Sequence, residues 1–147
     1  MLTRFFHLVH IMRRPLTMGV RAAAFDERGR VFLVRHTYVK GWYLPGGGVD
    51  AGEDVYQALE RELAEEGDLR IVSPQLFGVY HNRHASRRDH VVLFICRDTV
   101  QTSQPVANME IAKSGFFDVD TLPSGTTAAT LRRLKEIAGE AERSAIW

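Results

Sequence analysis

Residues 47–69 read GGVDAGEDVYQALERELAEEGDL, a glycine-led turn running into a helix with acids where a soluble helix normally avoids them. At 100° per residue, Val55, Ala58, Leu59 and Leu63 form one apolar stripe. Glu62 and Glu66 fall inside that stripe and Glu65 at its edge, while Gln57, Glu60 and Ala64 lie opposite. Glu65 and Glu66 also occupy the last turn, where the helix dipole is negative. Like charges three and four residues apart, partly desolvated and at the wrong helix end, require a compensating cation. The phase of the acids excludes an ordinary solvated helix end and points to a divalent metal site.

The preceding residues support this. Trp42-Tyr43-Leu44-Pro45-Gly46-Gly47-Gly48 reads as a short strand entering a glycine-rich loop, whose peptide groups can approach a phosphate or a metal closely. Gly47 and Gly48 are therefore candidate substrate contacts. Asp54 is the expected N-cap of a helix over Val55 to Glu66.

The segment resembles the signature of the Nudix hydrolases: Gly, five residues, Glu, seven residues, Arg-Glu, an aliphatic residue, any residue, Glu-Glu, any residue, Gly, an aliphatic residue. Gly47, Glu53, Arg61, Glu62, Leu63, Glu65, Glu66 and Leu69 all match, and Asp68 stands where the final glycine is expected, with Gly67 one residue early. Asp tolerates a left-handed conformation better than most residues, so the departure touches the helix end and not the acids. The Phe116-Phe117 to Leu122-Pro123 stretch is similar to the family as well. The resemblance implies an α/β protein, an α/β/α sandwich with a mixed sheet. It further implies that Glu65 and Glu66 are the principal metal ligands, that Glu62 is a further ligand or the base, that the Gly46 carbonyl adds a ligand, and that Arg61 pairs with Glu53. Mg²⁺ is the expected ion, with Mn²⁺ as a substitute, because carboxylates without His or Cys suit hard cations. Glu110 is the candidate for a further metal-binding or basic acid, the other reading being a surface loop carboxylate.

At 147 residues and a net charge of +1, the chain suits one compact enzyme domain, and neither bulk nucleic-acid binding nor membrane attraction is predicted. The only cysteine, Cys96, sits in the apolar run Val91 to Cys96, which suits a core position and a reducing cytoplasm. Residues 1–17 are expected as an extension to a domain at 18–147. The apolar, basic-ended stretch Arg4 to Arg14 is too short to span a bilayer; packing on its own domain or on a second copy is preferred over a peripheral membrane anchor. Gly19 to Phe25 and Arg30 to His36 read as strands joined by an Asp26–Gly29 hairpin turn. Ile71 to Tyr80 and His90 to Arg97 read as two more strands, and Ser114 to Val119 as another. Gln101 to Asn108 reads as a loop. Leu131, Leu134, Ile137 and Ala138 predict a closing helix within Thr127 to Arg143.

The loop between the second strand pair carries Arg83, Arg87 and Arg88, candidate contacts for a substrate phosphate, against the alternative of a solvated basic loop. Family subgroups acting on ADP-ribose or dinucleoside polyphosphates carry a Pro or a Tyr downstream of the signature, and His84 to Arg88 contains neither. The expected reaction is hydrolysis of a diphosphate bond in a nucleoside triphosphate or nucleotide-sugar. The alternatives are a binding module that has lost catalysis, disfavoured by the intact acids, and an isoprenoid diphosphate isomerase, disfavoured by the core-like setting of Cys96.

Overall fold

The computed structural model describes residues 2–105 and 107–147. Met1, in the expected N-terminal extension, and Val106, in the expected 101–108 loop, lie outside these. The elements in chain order are α1 (Leu2–Arg13), β1 (Thr17–Ala24), β2 (Val31–His36), α2 (Val55–Gly67), β3 (Leu69–Arg70), β4 (Gln75–His81), β5 (Asp89–Cys96), β6 (Val100–Gln101), β7 (Ile111–Phe117) and α3 (Ala128–Ala138).

Strand alternation divides the interior into two layers. Val20, Ala22, Ala24, Phe32, Val34, Val92, Phe94 and Cys96 turn to one side and pack with Ala58, Leu59 and Leu63 of α2. Their sequence neighbours Ala23, Phe25, Val31, Leu33 and Leu93 turn to the other, toward Leu134, Ile137 and Trp147. The result is the expected helix–sheet–helix sandwich.

Strand pairing departs from the hairpin expected for the first two strands. The Asp26–Gly29 turn forms, with the Asp26 side chain accepting from the backbone N–H groups of Arg28 and Arg30. Beyond the Phe25–Val31 bridge, however, the strands separate. β1 runs parallel to β5 in the order β1-β5-β4, and β2 runs antiparallel to β7. The 42–48 segment stitches the two sheets together. Val34 and Tyr43 exchange both backbone hydrogen bonds at 2.9 Å, then Pro45 and Gly47 carbonyls accept from Ala22 and Val20 of β1. The expected 101–108 loop also gains a short strand, β6, paired with β3.

α3 is shorter than expected and lies differently. Gly139 ends it in a left-handed conformation, Leu131 faces solvent, and the buried positions include Thr130, Arg133 and Glu136. Arg133, fully buried, donates to Glu136 at 2.7 Å and to the Ile146 carbonyl, and its guanidinium lies 4.4 Å from the Tyr80 ring centroid and 5.4 Å from that of Trp147. The Tyr80 hydroxyl donates to Glu136, and burial pushes its ionisation well above the usual phenol range. Aromatic faces and a paired carboxylate let this cation occupy a core position.

α1 ends where Pro15 cannot continue it, and Phe5, Phe6, Leu8 and Met12 are exposed. No helix among the described residues is long and apolar enough to cross a membrane.

Candidate active site

The glycine loop is positioned by close approach. Gly46 has φ of +139°, and a Cβ there would run into the Val20 carbonyl, so only glycine lets the loop lie against β1. At Gly47 a Cβ would collide with the Glu62 carboxylate. The carbonyls of Gly47 and Gly48 turn into the protein, accepting from Val20 N–H and Arg61 Nη2.

Local signals set α2. Asp54 caps it with a reciprocal capping box: its side chain accepts from the N–H groups of Tyr56 and Gln57, while Gln57 reaches back to the Asp54 N–H. Asp68 closes the helix at φ of 50°, taking the left-handed conformation expected of the signature's departure. Arg61 then ties helix to loop. It donates twice to Glu53 (2.6 and 3.2 Å), once to Glu62 (2.7 Å) and once to the Gly48 carbonyl (2.9 Å). Hydrogen bonds from Arg61, then from the Asp50 N–H, hold Glu53 below the usual carboxylate range. The same carboxylates, Glu53 first, raise Arg61 above the usual guanidinium range.

The acids divide by depth as their helical phase predicts. Glu66 is 7% exposed, the Glu62 side chain 14% and the Glu65 side chain 61%. Glu66 accepts the Gly46 N–H at 2.7 Å. Burial pushes its ionisation up to about 7; Gly46 and Arg21 oppose the rise, and the charges of Glu62 and Glu110 add to it. Glu110 is thus brought into the field of the box acids, through a Thr37 N–H bond to the Glu110 carbonyl that fixes the start of β7 beside the end of β2. As placed, no three carboxylate, His or Cys groups among the described residues converge on one point. Glu66 turns to Gly46, Glu62 to Arg61, and Glu65 to solvent 3.6 Å from Arg61. The donor set nevertheless fits a hard divalent cation: it offers only oxygens, and its innermost carboxylate is left short of counter-charge.

Two residues here were not singled out in the sequence. Arg21 of β1 donates to the carbonyls of Gly46 and Leu44. His36, at the end of β2, is held below the usual imidazole range chiefly by burial and also by Arg21, against the pull of Glu110. The available signal for Arg21 was a lone charge in the strand Gly19 to Phe25.

A cleft of about 490 Å³ is lined by Arg21 together with Tyr43, Asn82, His84, Arg132 and Trp147 among others. The 82–88 loop therefore contributes Asn82 and His84 to the wall. Asn82 is anchored by its amide to Asp89 at 2.9 Å. Arg83, Arg87 and Arg88 are exposed and do not line this cleft, because the tight turns folded back on Asn82 hold them outward. Cys96 is fully buried in β5, and burial alone pushes its thiol up to about 12, far from any role as a nucleophile.

Comparison with known proteins identifies the family to which this fold belongs. The chain is 26% identical over 140 residues to the 8-oxo-dGDP phosphatase NUDT18 of Homo sapiens, covering 91% of this chain and 42% of that protein. It is 35% identical over 101 residues to an ADP-ribose pyrophosphatase of Methanocaldococcus jannaschii, covering 67% and 60% respectively. The chain thus spans less than two thirds of the length of these relatives. Among solved structures, a MutT NUDIX hydrolase from Burkholderia pseudomallei superposes with a TM-score of 0.69 at 25% identity, covering 82% of this chain and 97% of that one. The family model of the NUDIX domain matches residues 15–136, which take in the glycine loop, α2, the Glu110 segment and most of α3. With the signature, the sandwich and this match in agreement, the chain belongs to the NUDIX domain family.

Proposed function

We propose that this protein hydrolyses a diphosphate bond in a nucleoside diphosphate joined to a further group, either phosphate or a sugar, with Mg²⁺ or Mn²⁺ as cofactor. The carrying observation is Glu66, a buried carboxylate raised to about 7 beside Glu62 and the Gly46 peptide, in a site made of oxygens. Glu66, Glu65, Glu62, Glu110 and the Gly46 carbonyl would hold the ion. When bound, a divalent cation neutralises the diphosphate and acidifies water.

The chain's own residues do the remaining work. Glu62 accepts Arg61 on Oε1, which leaves Oε2 to take a proton from the attacking water or to complete the ligand set. Arg61 and Glu53 lock the glycine loop against α2, so that Gly47 and Gly48 lie beside the substrate phosphates. Tyr43 and Trp147 give the cleft aromatic walls for a nucleoside, with Asn82 and His84 as hydrogen-bonding partners. Arg83, Arg87 and Arg88 then serve long-range attraction of an anionic substrate more than direct contact. ADP-ribose, in the name of one relative, falls in this substrate class, while 8-oxo-dGDP, in the name of the other, has the diphosphate bond without a further group. A binding module without catalysis is disfavoured by the complete acid set, and an isomerase by the buried Cys96.

Residues 1–17 extend a catalytic domain of residues 18–147, in a reducing cytoplasm. A second copy would cover the apolar side of α1, which sedimentation at two protein concentrations tests.

The test of function is incubation with EDTA, then Mg²⁺, against nucleoside triphosphates, nucleotide-sugars and ADP-ribose, with the phosphorus products identified. Turnover is expected only with the added ion. Undiminished turnover after rigorous chelation would overturn the mechanism, and binding without turnover would favour the module.

A further inference from the structure

Arg21 is the one charged side chain of β1; it lines the cleft and donates to the carbonyl of Gly46, whose N–H serves Glu66. Among the described residues it forms no ion pair within 4.0 Å; its Nη1 donates to two backbone carbonyls, Leu44 at 3.3 Å and Gly46. Gly46 therefore faces opposite charges at its two ends. Its N–H serves Glu66 while its C=O serves Arg21. The same carbonyl belongs to the proposed metal donors. A guanidinium presents five donors in a planar fork, of which only those on Nη1 are engaged here, so Nε and Nη2 are free to meet an oxyanion.

We propose that Arg21 holds the Gly46 carbonyl beside the acid cluster, that it yields this carbonyl to an incoming divalent ion, and that it turns to a substrate phosphate in the cleft lined by Tyr43, Asn82 and His84. Two cations cannot share one carbonyl without repulsion, so metal and guanidinium compete for Gly46. Once displaced, Arg21 needs an anion, and the phosphate of a bound nucleotide is the group that enters that space. This rests on the metal-dependent reading of the site.

The experiment measures Mn²⁺ binding to the full chain without substrate, then inorganic phosphate binding to the Mg²⁺-loaded protein by calorimetry, for wild type, Arg21→Gln and Arg21→Lys. Arg21→Gln is expected to bind Mn²⁺ roughly 5-fold or more tighter, in the ordinary range of coupling between sites, and to lose phosphate affinity by a similar factor. Arg21→Lys keeps the charge and should hold Mn²⁺ affinity near wild type, while its single-point head loses the bidentate phosphate contact. The Lys variant also keeps the proposal testable if Gln at this half-buried position fails to fold. Unchanged or weaker Mn²⁺ binding by Arg21→Gln, or unchanged phosphate binding by either variant, overturns the role of Arg21 while leaving the metal site intact. A wild-type protein that binds no Mn²⁺ overturns the metal reading itself and this proposal with it.

Discussion

Replacing Glu66 with Gln should stabilise the metal-free fold while abolishing turnover. The carboxyl is 7% exposed, and burial is the largest cause of its rise from the usual 4.5 to about 7. Because the folded-state value lies above the unfolded one, the native protein holds this proton more tightly. The cost of ionisation therefore appears as pH rises through about 4.5 and is complete above about 7. A gap of about two and a half units at about 1.4 kcal/mol each corresponds to about 3 kcal/mol. That figure is an upper bound, since the Gln amide must find its own acceptor where Glu66 now has the field of Arg21. Urea unfolding in EDTA should show the two proteins nearly equal at about pH 5. At about pH 8.5 the variant should be more stable by roughly 2–3 kcal/mol, a rise in Tm of about 5–10 °C for a chain of this size. Turnover at the same pH should fall by orders of magnitude, because the lost charge is what balances a divalent ion. A stability difference independent of pH, or a variant no more stable than wild type in alkali, would refute the burial argument for Glu66.

The remaining expectations follow from the same geometry. Glu60→Gln, on the exposed far face of α2, should change stability by no more than about 0.5 kcal/mol and leave the rate alone, and a rate loss matching that of Glu66→Gln would overturn the helix phase. Glu110→Gln should lower the rate across a Mg²⁺ titration with little effect on metal-free unfolding, and wild-type kinetics would reduce it to a bystander. Arg61→Ala frees Glu53, Glu62 and the Gly48 carbonyl at once. Its stability loss should be largest above the carboxylate range and fade in acid, as Glu53 protonates in both states, and a loss that persists unchanged in acid would show that the ion pair is not its source. Arg133→Met strands Glu136 in the core and should cost about 3–5 kcal/mol in urea unfolding; a loss under about 1 kcal/mol would show that the pair is not buried as described.

What the sequence determined by itself is what depends on neighbours a few residues apart. The start of α2 at Asp54, the left-handed end at Asp68 and the inward turn of Glu66 with Glu65 at the rim were legible, because helical periodicity and capping act within one or two turns, while the Arg61–Glu53 tie was implied by the family resemblance. A layered α/β domain followed from the order of strands and helices, and the α/β/α sandwich from the family resemblance. The tertiary structure alone decided which strands pair, since β1 joins β5 some seventy residues away while its sequence neighbour β2 goes to β7. It also decided that Arg133 is core and Leu131 is surface, that Asn82 and His84 line the cleft in place of the loop arginines, and that Arg21 meets Gly46. These contacts join residues distant in the chain, and their energy comes from burial and electrostatic pairing that exist only once the layers have closed.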